Sequence, residues 1–204
     1  MLKKIDILGI EVDNYTVREA MMQVENYLDN TIMNTIETID MKMLELAGQD
    51  ETVRACIEQL DLAVIGEKEI LIAADVHSSQ RLSETINHDF FREFIKRIIR
   101  NHKRVFLLAE TIAQEEQLEH FLVGKYEQIE VAGHCAIEEK SNDFESVVNE
   151  INSASADVIF SILPSPLQEQ FLTENKSKLD AKIWYGLSSC LLYTSPSPRD
   201  RTRS

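Results

Sequence analysis

Short, continuously apolar runs recur along this chain, and each is followed by a stretch whose apolar residues fall at helical spacing. Leu62-Ala63-Val64-Ile65, Val105-Phe106-Leu107-Leu108 and Val158-Ile159-Phe160-Ser161-Ile162-Leu163 are the plainest of these runs. They lack the apolar–polar alternation of a half-exposed strand, so both of their faces must be covered. Further strands are expected at residues 5–10, 31–39 (anchored by Ile32 and Ile36), 129–132 and 181–185. Between them the spacing predicts helices. Over residues 17–28, Val17, Ala20, Met21, Val24 and Leu28 share one face behind Thr16 as N-cap. Over residues 89–100, Phe90, Phe91, Phe94, Ile95, Ile98 and Ile99 form a buried stripe. Other helices are read at 40–47, after Asp50 (carrying Val53, Cys56, Ile57 and Leu60), and at 111–123, 142–151 and 167–179. The fold class is therefore α/β, a mostly parallel sheet with helices on both faces. Ligands of such sheets sit at the C-terminal strand ends. That directs attention to Thr38 and Asp40, Gly66 and Glu67, Ala109 and Glu110, Gly133 and His134, and residues 164–169.

Charge narrows the partners. With 35 Asp+Glu against 21 Lys+Arg the net charge is −14, which argues against a nucleic-acid partner and against electrostatic docking on anionic lipid. No apolar run approaches the ~20 residues of a membrane-spanning helix, and residues 1–7 carry no secretory h-region. Cys56, Cys135 and Cys190 are widely spaced and suggest neither a disulfide framework nor a zinc site, so a reducing cytoplasm is expected. P-loop, dinucleotide-binding, nucleophile-elbow and HExxH motifs are all missing. The histidines (His77, His88, His102, His120, His134) show no i, i+4 pairing, and surface or packing roles are expected of them.

Composition breaks after residue 189. The segment ending Ser195-Pro196-Ser197-Pro198-Arg199-Asp200-Arg201-Thr202-Arg203-Ser204 reads either as a disordered basic tail or as non-native sequence resembling translated adapter. On the second reading the native C-terminus lies beyond this chain. Residues 1–189 are expected to form one domain, and residues 190–204 to make no packed contact with it.

Several segments, in order, resemble the WecB/TagA/CpsF glycosyltransferases. Ile5-Asp6-Ile7-Leu8-Gly9-Ile10 is similar to the family's opening strand, and Thr38-Ile39-Asp40 stands where it has Thr-x-Asn. Leu60-Asp61-Leu62-Ala63-Val64 matches the strand leading to its Pro-Asp-Gly. Val105-Phe106-Leu107-Leu108, Val131-Ala132-Gly133 and Ile183-Trp184-Tyr185-Gly186 match later strands. Pro164-Ser165-Pro166-Leu167-Gln168-Glu169 resembles the turn and helix start that carry Pro-Lys-Gln-Glu. The resemblance implies a Rossmann-like domain, a UDP-sugar donor (typically of N-acetylmannosamine) and a polyprenyl-pyrophosphate-linked saccharide acceptor, in cell-wall or surface-polysaccharide synthesis. It implies an Asp general base, no cofactor and no tightly held metal. It also implies a C-terminal appendage that reaches the membrane, hence a cytoplasmic protein peripheral at the inner face.

The departures fall at the chemistry. The family's Asp is replaced by Gly66 and the next Gly by Glu67, so Glu67 is either a substitute base or a solvated loop carboxylate. The family's Arg falls at Glu84, the wrong charge beside a diphosphate. Thr38, Asp40, Gly66, Gly133, Gln168 and Glu169 remain as substrate-binding candidates. Thr38 and Asp40 serve equally as turn or cap residues, and Glu169 is favoured at a helix start whatever its function. Two functions stay open: a divergent UDP-sugar hexosyltransferase, or a catalytically inactive relative that binds a nucleotide sugar or pairs with an active paralogue or a second copy.

Overall fold

We describe residues 3–188 and 191–192 of a computed structural model. The chain opens on a hairpin, β1 (Lys4–Ile7) and β2 (Ile10–Asp13), which pair antiparallel. Its two-residue turn needs positive φ at both positions, and Leu8 (53°) and Gly9 (83°) supply it. The expected strand at 5–10 is thus two strands, and neither joins the main sheet. That sheet has six strands among the described residues, in the order β4-β3-β8-β7-β5-β6, all parallel. The strands are β3 (Asn34–Ile39), β4 (Leu62–Ile65), β5 (Arg104–Ala109), β6 (Glu130–Ala136), β7 (Val158–Ser161) and β8 (Ile183–Gly186).

Helices cover both faces, because alternate strand residues point to opposite sides. On one side Val105, Leu107, Phe160 and Tyr185 pack against α1 (Val17–Asp29), α6 (Asp89–Arg100) and α7 (Ile112–Lys125). On the other, Phe106, Leu108, Ile159 and Trp184 pack against α2 (Met41–Ala47), α3 (Glu51–Glu58), α8 (Phe144–Ala154) and α9 (Leu167–Asn175). The hairpin and α4 (Lys68–Ala73) add to this second layer, and α5 (Ser79–Ile86) precedes α6. The expected stripe on α6 is buried at Phe90, Phe91, Phe94, Ile95 and Ile98. Thr16 caps α1 through a full capping box with Glu19.

Three expectations are corrected. Ile32 does not anchor β3; it is 65% exposed, ahead of a strand that starts at Asn34. β6 does not end before Gly133 but runs through it to Ala136. Leu191 packs in the layer with α1 and α6, and Leu192 lies against the same layer, so contact with the domain continues past residue 189. The rest of the 190–204 expectation lies outside the described residues.

Candidate functional site

The connection from β5 runs outward to β6, whereas that from β7 runs inward to β8. The strand order therefore reverses between β5 and β7, where a crevice is expected at the C-terminal ends. A cavity of about 140 Å³ lies here, lined by Thr38, Asp40, Gln114, Ser165 and Gln168 among others. A second, of about 60 Å³, lies toward α1 and α6 and is lined by Thr38, Gly66, Glu67, Arg81, Tyr185 and Leu191 among others. Thr38 and Ser188 line both, so the end of β3 forms the wall between them.

Each lining group is fixed by local structure. Asp40 is the N-cap of α2, its Oδ1 accepting from the Met43 amide at 2.8 Å. Glu67 reaches across from the end of β4, and its Oε2 accepts from the Met41 amide at 3.4 Å. Burial pushes the Glu67 carboxyl above its ordinary value; the Met41 amide opposes this, and the charges of Asp40 and Glu69 add to it. A carboxylate so placed is more basic than one in water, as a general base requires.

Position 66 is sterically closed. A Cβ there would stand 2.6 Å from Thr38 Cγ2 and 3.1 Å from the Ile39 carbonyl oxygen. Gln168 is only 3% exposed, and its amide packs over Gly186, where a Cβ would meet Nε2 at 2.8 Å. Its Oε1 is shielded and accepts no hydrogen bond.

Two of the residues singled out from sequence lie elsewhere. Gly133 sits within the edge strand β6, where a Cβ would meet the Phe106 ring and Ala154, and it lines neither cavity. Glu169 is fully buried beneath the crevice and takes a 2.6 Å hydrogen bond from Ser165 Oγ. Glu84 is also placed differently from its reading as an unbalanced charge. Its Oε2 accepts from the Val17 amide at the start of α1 and from Arg81, while Oε1 accepts from Gln80.

Sequence reading missed Arg81 and Glu37. Arg81 is 6% exposed, bonds Asn14 Oδ1 through Nε at 3.1 Å, and carries a guanidinium to the wall of the smaller cavity. No periodicity marks it. Glu37 did carry a signal, a lone carboxylate inside a strand otherwise fit for burial. It is fully buried, and neither carboxyl oxygen has a hydrogen bond. Burial pushes its carboxyl well up and the Glu169 charge pushes it further; the Trp184 indole pulls the other way without reaching hydrogen-bond geometry.

No helix among the described residues is long and apolar enough to cross a membrane. The chain is 25% identical, over 196 residues, to a Staphylococcus aureus (strain MRSA252) protein named N-acetylglucosaminyldiphosphoundecaprenol N-acetyl-beta-D-mannosaminyltransferase. That match covers 92% of this chain and 74% of the relative. The protein of the same name from strain NCTC 8325 / PS 47 is 24% identical over the same shares. The model of the glycosyl transferase WecG/TagA/CpsF family matches residues 5–197, and the chain belongs to that family.

Proposed function

We propose that this glycosyltransferase moves N-acetylmannosamine, or a related sugar, from a UDP donor to a lipid-linked N-acetylglucosamine acceptor, with Glu67 as general base. The observation that carries this is Glu67 itself, a carboxylate of raised basicity in a cavity that shares Thr38 with the Asp40/Gln168 crevice. In the transfer, Glu67 takes the proton of the attacking acceptor hydroxyl. The oxygen bonds the anomeric carbon, and the bond from that carbon to the diphosphate breaks, releasing UDP. Thr38 and Asp40 hydrogen-bond sugar hydroxyls, and Gln168 presents an amide edge to the uracil or sugar. Arg81 supplies, from one helical turn earlier, the guanidinium that the family resemblance assigns to position 84. We place the protein in the cytoplasm, peripheral to the inner membrane face where such an acceptor is displayed.

The second reading, an inactive relative that binds a nucleotide sugar or an active paralogue, is favoured by one observation. Position 66 has no carboxylate and no room for one while Thr38 keeps its rotamer. UDP release from UDP-N-acetylmannosamine, measured with a lipid-linked acceptor analogue, decides between them when paired with UDP binding by calorimetry. Turnover that Glu67→Gln abolishes while UDP binding persists supports the first reading. UDP binding without parental turnover supports the second, and parental turnover that survives Glu67→Gln overturns both.

A further inference from the structure

At the other edge of the sheet from Gly66, α7 and β6 bring three side chains together. One ligand atom from each of Glu115, Glu119 and His134 lies within 4.8 Å of the other two. We propose that these three residues bind a divalent transition-metal ion of the zinc class, clamping α7 to the edge strand.

Glu115 gives the first reason. It is 4% exposed, on the face of α7 turned to the sheet, and its Oε1 is shielded from water and accepts no hydrogen bond. Burying a carboxylate oxygen without a donor is costly unless a cation completes it.

Geometry gives the second. His134 Nδ1 stands 3.3 Å from Glu115 Oε1 without hydrogen-bond alignment. Two donors bound to one tetrahedral ion at ~2.1 Å lie about 3.4 Å apart, each aimed at the ion and not at the other. Separation and misalignment both fit a shared ion. Glu119 follows Glu115 by one helical turn, which puts both carboxylates on one face. Its side chain is only half-buried, which leaves it room to turn its carboxylate toward an ion held by the other two. His134 is half exposed, giving an ion a route from solvent and leaving a fourth position for water.

The surrounding field has the right sign. Beside Glu115 stand the carboxylates of Glu119, Glu139 and Glu116, whose charges attract a cation. One imidazole with two carboxylates suits intermediate divalent ions better than calcium or magnesium, which favour all-oxygen shells.

The test uses the whole chain, stripped with chelator and titrated calorimetrically with zinc chloride, with cobalt(II) absorption reporting coordination geometry. One ion per chain is expected, with micromolar or tighter affinity and the visible bands of tetrahedral cobalt. His134→Ala and Glu119→Gln alter groups outside the core and should fold; each is expected to weaken binding at least about tenfold and to lose the zinc-induced rise in Tm. Glu116→Gln, a neighbouring carboxylate outside the cluster, should bind as the parent does. Absence of saturable binding would leave Glu115 and His134 as a bare ion pair and overturn the proposal. So would binding that survives His134→Ala, or that Glu116→Gln weakens as much as Glu119→Gln.

Discussion

Glu67 can act as a base only when ionised, and its environment sets where that happens. Burial holds its carboxyl above 4.5, so the acid limb of kcat should rise through a pH above that value. Glu67→Gln should lower kcat by about 10²–10⁴-fold, the usual contribution of a general base, and remove that limb from the pH–rate profile. The neighbouring position sets a steric test. Gly66→Asp places a Cβ where Thr38 Cγ2 stands 2.6 Å away, so the substitution alone should lower Tm and fail to raise turnover. Thr38→Ser removes that methyl while keeping the hydroxyl, so Gly66→Asp should lower Tm less in the Thr38→Ser background, with the Ile39 carbonyl oxygen at 3.1 Å keeping part of the loss. An equal drop in Tm from Gly66→Asp in both backgrounds would show that Thr38 does not close the position.

At the scale of elements, α1 and α6 form the wall of the smaller cavity, and local rules explain how each is held. Thr16 and Glu19 satisfy each other's backbone at the start of α1, and Glu84 of α5 adds a carboxylate to its first amide. Thr16→Ala should therefore cost about 1 kcal/mol in urea unfolding. α6 anchors the layer through aromatic contacts. Phe94 is fully buried, with its ring centroid 4.9 Å from that of Tyr185 and 5.8 Å from that of Phe160. Phe94→Ala should cost about 3–5 kcal/mol by the same measurement. Both elements were legible in the sequence, since an N-cap threonine and an apolar stripe are local signals. The break between β1 and β2 was harder to see, because Leu8 at positive φ leaves no mark in composition. The length of β6 was also hidden: pairing with β5 carries it past Gly133, a residue that reads locally as a stop.

Across the whole molecule, the sheet carries an ionisable pair in its covered face. Glu37 on β3 and Glu169 on α9 are both fully buried, and both carboxyls are pushed up by burial. A carboxyl whose folded pKa exceeds its unfolded value binds protons better when folded. Stability therefore falls as pH rises from about 4.5 through the folded value. Glu37→Gln should raise stability at neutral pH by about 1 kcal/mol or more, with the gain fading as pH falls toward the ordinary carboxyl value. Denaturant midpoints across that range check it, and a gain independent of pH would mean that Glu37 is not the group titrating. The layered α/β architecture could be read from the chain because strand and helix periodicities are short-range, and so could the positions of Thr38, Asp40 and Gln168 at or after strand ends. Tertiary structure alone decided which of those ends meet. It brought Thr38 to Glu67 on one side and to Gln168 on the other, and put Gly133 in an edge strand clear of both cavities. It also set Glu84, paired locally with Arg81 one turn earlier, against the start of α1, and set His134 against a carboxylate from a helix. The reason is physical: parallel strand order is set by crossovers that join distant segments, and no spacing along the chain encodes which of them become neighbours.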